Sequence, residues 1–377
     1  MSARYTLAAT AALWIVLLLG GCIDGDYRPR ATGPEGQITV VMDSARWKGP
    51  VGEAFRKYVT PYRETLPLPE RMFTPYQIDL SSEQTYERIT EQKNIVIIAP
   101  LSDSTNEANF LRRRLSEDVR QAVMNGQTVV VPKPNLWRRS QRVYFITAAT
   151  QEGLINALQN NGKQIRQTFR QITLERMQNE MFERARQYDI EDSLMQKHGF
   201  AVHVQHDYVI AVDTMTDSTG FIWLRRLLTE TRRDLLLYYK ENADPSVLSP
   251  QWVYDTRDSL TRKYMRGSVR GFVKIDYRRP LETDQTSFLG RYAYLTEGLW
   301  HMVAPMPETG ELMPVGGGGP FVNYTFYDQA TDRIYMIDGS VFAPKYDKLR
   351  FIRQMEVIAQ TFRTKAEVSD APATAAQ

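Results

Sequence analysis

Cys22 is the only cysteine in this chain, so no disulfide can form within it and the fold must hold by its core alone. With 42% apolar residues that is feasible. The cysteine also closes the run Leu17-Leu18-Leu19-Gly20-Gly21-Cys22. Ahead of it stand one charge, Arg4, and an apolar stretch from about Leu7 to Leu19, the anatomy of a secretory signal. The stretch is shorter than the ~20 apolar residues of a membrane span. Leu19, Gly21 and Cys22 fill the constrained places of a bacterial lipobox, and Gly20 fits as well. The expectation is a signal peptide over residues 1–21, cut before Cys22, whose thiol then takes up lipid. Lipid chains anchor by hydrocarbon burial, ~0.8 kcal/mol per CH₂, and two or more hold stably. An ordinary secretory signal with a chance cysteine is the alternative. Residues 22–37, rich in Gly, Pro, Asp and Arg, read as the lipidated cysteine and a flexible tether.

Beyond the signal the chain is long enough for two domains. Its formal charge is +3, with both signs interspersed, which excludes a nucleic-acid partner on composition. Arginine clusters such as Arg112 to Arg114 and Arg225-Arg226 lie beside acids or on exposed faces and read as solvated surface. No second apolar run approaches membrane-spanning length.

In the first half, Ile38 to Met42 and Asn94 to Ala99 read as buried strands, the second covered on both faces. Gly49-Pro50 opens a helix through about Val59, with proline in its first turn. Pro61, Pro67, Pro69 and Pro75 rule out helix or central strand from Thr60 to Tyr76. Phe110, Leu111, Leu115, Val119 and Ala122 predict one helix stopped by Asn125-Gly126. Strands follow at Gln127 to Val131 and Arg142 to Thr147, with a turn over Pro132 to Asn135. Gly153 to Tyr188 predicts a long helix with the apolar stripe Ile165, Phe169, Ile172, Met177, Met181, Ala185 and Tyr188. The stripe reads as core or inter-domain packing.

The second half reads as mainly antiparallel. Phe200 to Val204 and Tyr208 to Val212 predict a hairpin around Gln205-His206-Asp207. Further strands are predicted at Phe221 to Leu228, Asp234 to Tyr239, Phe288 to Tyr294, Leu299 to Val303, Phe321 to Tyr327 and Arg333 to Ile337. Trp252 to Tyr264 and Leu349 to Phe362 are predicted helices. The fold class is therefore α/β to α+β, two sheet-and-helix lobes joined by a long helix. The lobes are placed at residues 38–190 and 191–363, with a disordered tail over 364–377.

The most specific string lies in the last ninety or so residues. Gly298-Leu299-Trp300-His301-Met302 precedes Gly316 to Gly319, then Pro320-Phe321-Val322-Asn323-Tyr324 and a basic closing helix with Arg353, Gln354 and Glu356. With Trp47-x-Gly49-Pro50-Val51-Gly52 and Gly220-Phe221-x-Trp223, this resembles an uncharacterised family of Bacteroidota lipoproteins carrying a domain of unknown function. The four-glycine run departs from the family's usual pair. The resemblance implies a lipid-anchored envelope protein and no particular reaction.

Candidate chemistry is sparse. His198, His203 and His206 fall close together beside Asp207, but on strand and turn their side chains need not converge, and no metal is expected. Gly316 to Gly319 lead through Pro320 into a strand and lack the Lys-Ser or Lys-Thr ending of a phosphate loop, so close backbone packing at a bend is the reading. No Gly-x-Ser-x-Gly elbow occurs, since Gly267-Ser268-Val269-Arg270-Gly271 has its serine one place early. Carboxylate pairs cannot be picked from sequence. No cofactor is expected. Dense aromatics from Tyr292 to Tyr346 read as sheet core, with Tyr324 and Phe326 on one face and Phe321 and Tyr327 on the other. The expectation is a binding or assembly component of the envelope, most plausibly on the outer membrane. Its partners would be the membrane through the anchor and an envelope protein or a glycan. Any ligand site should lie between the lobes near Trp300, Gly318, Gly319, Pro320 and Phe321. The alternatives are an envelope hydrolase and a carbohydrate-binding lipoprotein.

Overall fold

The computed structural model describes residues 26–127, 129–267 and 270–369. The signal segment, Cys22 and residues 370–377 lie outside them. The first lobe runs β1 (Gln37–Val41), α1 (Ser44–Lys48), α2 (Pro50–Tyr58), β2 (Tyr62–Arg63), β3 (Glu70–Arg71), β4 (Thr74–Ile78), α3 (Glu83–Thr90), β5 (Asn94–Pro100), α4 (Asn106–Arg114), α5 (Glu117–Met124), β6 (Val129–Pro134) and β7 (Arg142–Ala148). Its sheet has the order β4-β1-β5-β7-β6, parallel except for β6. β5 is buried along its whole length, as a parallel strand covered on both faces must be. One face packs through Val40, Ile98 and Tyr144 on α2 and on the long helix α6 (Gln151–Phe182). The other packs through Ile97 and Phe145 on α4 and α5. Pro75, Pro132 and Pro134 sit in β4 and β6, the two edge strands, where a missing N–H costs the sheet least.

Helix α6 spans 32 residues, ~48 Å at 1.5 Å each, and serves both lobes. Ile165 and Phe169 belong to the first core, Leu174 and Met181 to the second. The second lobe continues with α7 (Tyr188–His198), β8 (Phe200–Ala201), β9 (Tyr208–Met215), β10 (Thr219–Leu227), β11 (Arg232–Glu241), α8 (Pro250–Tyr264), β12 (Phe272–Ile275), β13 (Glu282–Phe288), β14 (Arg291–Pro305), β15 (Leu312–Asp328), β16 (Arg333–Phe342), α9 (Leu349–Ala359), β17 (Arg363–Thr364) and α10 (Lys365–Ser369). Its antiparallel sheet has the order β12-β14-β15-β16-β11-β10-β9, with β13 also on β14. Tyr324 and Phe326 point to the side covered by α6, α7 and α9. Phe321 and Tyr327 point to the side covered by α8. Two lobes, a bridging helix and a mainly antiparallel second lobe are the architecture expected.

Several local expectations are corrected. The helix expected through Phe110 and Ala122 is two helices, broken at Leu115 and Ser116, both extended. The break gives Arg112 to Arg114 a helix C-terminus and Glu117-Asp118 an N-terminus, each charge beside the opposite end of a helix dipole. The strand expected to end at Val131 runs on through Pro132 and Pro134. The long helix stops at Phe182, with Ala185 at φ 55° before α7. The hairpin around Gln205-His206-Asp207 does not form. β8 pairs β17 instead and β9 pairs β10, because the N–H groups of His203 and Val204 donate to Thr361 Oγ1 (2.7 Å) and Glu191 Oε1 (2.9 Å). Phe288 to Tyr294 is not one strand: it spans the last residue of β13, a turn at Leu289-Gly290 and the start of β14. Leu289 and Gly290 both have positive φ, the two-residue turn whose twist suits a hairpin. The tether is pinned from Arg28 onward: Ala31 N donates to Arg139 O (3.0 Å) and Thr32 N to Glu91 O (2.7 Å). Thr364, placed in the tail, pairs with Phe200, and Lys365–Ser369 is helical.

Candidate functional site

The five residues singled out near the glycine run do come together, since Gly318, Gly319, Pro320 and Phe321 on β15 face His301, Trp300, Leu299 and Gly298 on β14. They do not line a space between the lobes. Trp300 is 2% exposed and Phe321 1%, packed with Trp223, Leu236 and Ile275 under α8, on the sheet face turned away from the first lobe. The buried Arg257 guanidinium lies 3.8 Å from the Phe321 ring centroid and pairs with Asp338. Gly319 is glycine for lack of room: a Cβ there would lie 2.0 Å from the Val341 carbonyl oxygen. Gly316 and Gly317 have φ of 93° and 77°, where the strand shifts register. The bend expected of the run is a bulge inside one long strand.

The histidines diverge. His198 is enclosed, with Nδ1 3.2 Å from Tyr239 Oη and Nε2 3.0 Å from Asp213. His203 lies edge-on to Phe182, and burial pulls it down to about 4. His301 is 3.2 Å from Arg278. Among the described residues no cluster of His, Cys, Asp or Glu could hold a metal ion.

In an open parallel sheet the usual crevice lies outside the carboxyl ends of the strands. Here Arg46 fills it, bridging Asp43 after β1 and Asp103 after β5, while Ser44 donates to Asp79 at 2.7 Å. The large opening is at the other end, between the lobes. A cleft of about 800 Å³ is bounded by the segment leading into β1, by β3 and the start of β4, by α6 and by the first turns of α9. That is the size of a small-molecule site. Glu35, Arg71, Glu180, Asp347, Arg350 and Arg353 give it both signs of charge. At the rim Glu70 accepts from Lys348 N (2.7 Å) and Leu349 N (3.0 Å), capping α9 from the first lobe.

Arg353 is in the cleft because α9 is buried on most sides, and Arg353 and Glu356 are buried with its apolar residues while Arg350 stays exposed. It is 5% exposed. Its Nη2 donates to the Met72 carbonyl, and its guanidinium stands 4.7 Å from the Phe73 ring centroid. A Cβ on Gly36 would come within 3.3 Å of Nη1, so that glycine leaves Arg353 its space. Burial lowers its pKa to about 10.

Behind Arg353 the lobes meet through buried charge. Glu356, 1% exposed, pairs with Arg63 Nη1 at 3.2 Å and Arg170 Nη2 at 3.0 Å, and Arg63 also pairs with Glu297. Burial works against Glu356, but the charges of Arg170, Arg63 and Arg353 outweigh it and hold the carboxyl below its ordinary value. Burial keeps Glu297 above its own. Three guanidiniums thus meet two carboxylates. The surplus positive charge falls to Arg353, which has no carboxylate within 4.0 Å among the described residues and opens on the cleft. The sequence carried one trace of this: Arg353 and Glu356 stand among Phe351, Ile352, Met355 and Ile358 on a helix that otherwise reads as core.

Fold and cleft define a two-lobed protein, an α/β lobe and an antiparallel lobe facing each other across a charged opening. Both lobes match family models of domains of unknown function, DUF8532 over residues 31–182 and DUF4837 over residues 187–361. The two matches meet where α6 ends. No curated protein matches the chain. Among solved structures, the Ran-binding protein Mog1p of Saccharomyces cerevisiae is similar at 11% identity, over 45% of this chain and 92% of that one, with a TM-score of 0.28.

Proposed function

We propose that this chain is a lipid-anchored binding component of a bacterial cell envelope that takes a small carboxylate-bearing ligand in the cleft between its lobes. The observation that carries the reading is Arg353, a guanidinium removed from water, with no acid of its own, at the wall of an 800 Å³ cleft. A carboxylate ligand would supply the missing partner, and hydrogen bonds involving ionised groups in a desolvated site are the strong ones. Glu180 and Asp347, which also line the cleft, suit a cationic group on the same ligand. A hydrolytic reading has less support, because His198, the histidine bonded to both an acid and a hydroxyl, has a side chain with no exposure. The anchor rests on Cys22. Only residues 23–27 separate it from Arg28, whose guanidinium donates to the Asn135 carbonyl. Fully extended they reach ~18 Å, so the body would ride close to the bilayer.

Calorimetric titration of the mature chain with amino acids, dicarboxylates and short peptides tests the cleft. Binding of at least one member, lost in Arg353→Gln with the fold retained, supports it. Equal binding by the variant, or heat from no member, refutes it. Mass spectrometry of the native protein tests the anchor: an unmodified Cys22 thiol or a retained residue 1–21 segment would refute it.

A further inference from the structure

A second cavity, about 440 Å³, lies where α8 ends against β12. Its lining gathers four cations, Arg262, Lys263, Arg266 and Lys274, around Asp258 and Ser259. Two other arginines nearby in the chain have acids of their own: Arg257 pairs with Asp338 and Arg278 with Asp276. The four have no carboxylate within 4.0 Å among the described residues. Three are held by aromatic rings instead, Arg262 at 5.1 Å from Phe272, Lys263 at 4.8 Å from Tyr264 and Lys274 at 5.5 Å from Tyr277. A ring face positions a cation without cancelling its charge. Asp258 is already engaged, accepting from Ile275 N at 2.8 Å and Tyr277 Oη at 3.0 Å. The negative end of the α8 dipole accounts for Arg262 and Lys263. It does not account for Lys274, which arrives from a strand, or for Arg266, beyond the helix end.

We propose that this pocket binds a phosphate group, with Arg262, Lys263, Arg266 and Lys274 converging on its oxygens. A dianionic group relieves the mutual repulsion of four like charges and offers acceptors to several donors at once. Because the cations are largely exposed, the binding weakens steeply with salt. The phosphate could be borne by a soluble ester or by a lipid headgroup, and two arms separate these sources. The soluble arm is calorimetric titration of the mature protein with inorganic pyrophosphate at low and physiological ionic strength. The membrane arm is co-sedimentation with phosphatidic acid vesicles, whose headgroup is a phosphomonoester, with phosphatidylcholine vesicles as reference. Saturable binding in either arm is expected, weakened at least about tenfold in Arg262→Gln/Lys274→Gln and unchanged in Arg184→Gln, an exposed arginine outside both cavities. Of the two substituted cations Arg262 is exposed and Lys274 half-buried, and circular dichroism checks that the double variant folds. No binding in either arm, or binding that the double variant retains in full, overturns the proposal. Arg353 is not part of this pocket, so its failure leaves the cleft reading standing.

Discussion

Replacing Glu356 by glutamine tests whether the buried charges fasten the lobes. The exchange keeps the volume of the side chain and removes its charge. Arg63 retains Glu297, but Arg170 loses the carboxylate it pairs with among the described residues, 3.0 Å away. At an effective dielectric of ~20, a pair at that distance attracts by ~5–6 kcal/mol before desolvation is counted. Breaking such a pair from one side costs up to ~3–5 kcal/mol where the remaining charge is buried, and half-buried Arg170 places the loss toward the lower end. Urea unfolding of Glu356→Gln should show a loss of that order. Arg170→Met should lose a similar amount. The double variant should lose less than the sum, with a coupling of ~1–3 kcal/mol. The pH dependence has a definite sign. The folded carboxyl lies below its ordinary value, so its contribution is present above the unfolded pKa of ~4.3 and is lost as pH falls through the folded value. Glu356→Gln should flatten that part of the acid limb. A loss below ~1 kcal/mol with no coupling to Arg170 would show that the network is not what joins the lobes.

Other consequences can be measured with the same unfolding assay. Gly319→Ala drives a methyl into the Val341 carbonyl and should cost ~3 kcal/mol, the upper end of the overpacking range. Gly316→Ala meets nothing and should cost only the ~1–2 kcal/mol of a left-handed backbone. Equal losses would contradict the geometry. Trp300→Ala should cost ~3–5 kcal/mol as a core truncation without touching ligand binding in the cleft, and a stable variant that lost binding would show the reverse. NMR titration should find His203 neutral down to pH about 4. Its folded value lies below the unfolded one, so its contribution is present above pH ~6.5 and is lost as pH falls from there. A normal His203 titration would refute the burial argument.

Elements with a strong period were legible. The β-branched run Asn94 to Ala99 became the fully buried β5, and the stripe from Ile165 to Met181 became the helix shared by two cores. Breaks set by charge or by distant partners were not. Nothing local in Phe110 to Ala122 distinguishes one helix from two until the dipole preferences of Arg112 to Arg114 and Glu117 are weighed. The pairing of Phe200-Ala201 with Arg363-Thr364 joins segments more than 160 residues apart. The site was harder still. Trp300 and Phe321 are aromatics beside glycines, a combination that describes a tightly packed sheet as well as a ligand site. The cleft is made by segments near Glu35, Arg71, Glu180 and Arg353, none with a motif of its own. Charge surplus at Arg353 exists only once Arg63, Arg170, Glu297 and Glu356 have been brought together.

Helix α9 follows every strand of the large sheet in the chain, and it packs on Met177 and Leu174 of α6 and on Tyr324 and Ile337 of the sheet. The strand after it is clasped by Phe200 and Ala201. A ribosome delivers residues from the front, so the second lobe cannot close until α9 has emerged. Earlier segments must wait with an apolar face uncovered, and whatever guards the emerging polypeptide against clumping has to stay until α9 arrives.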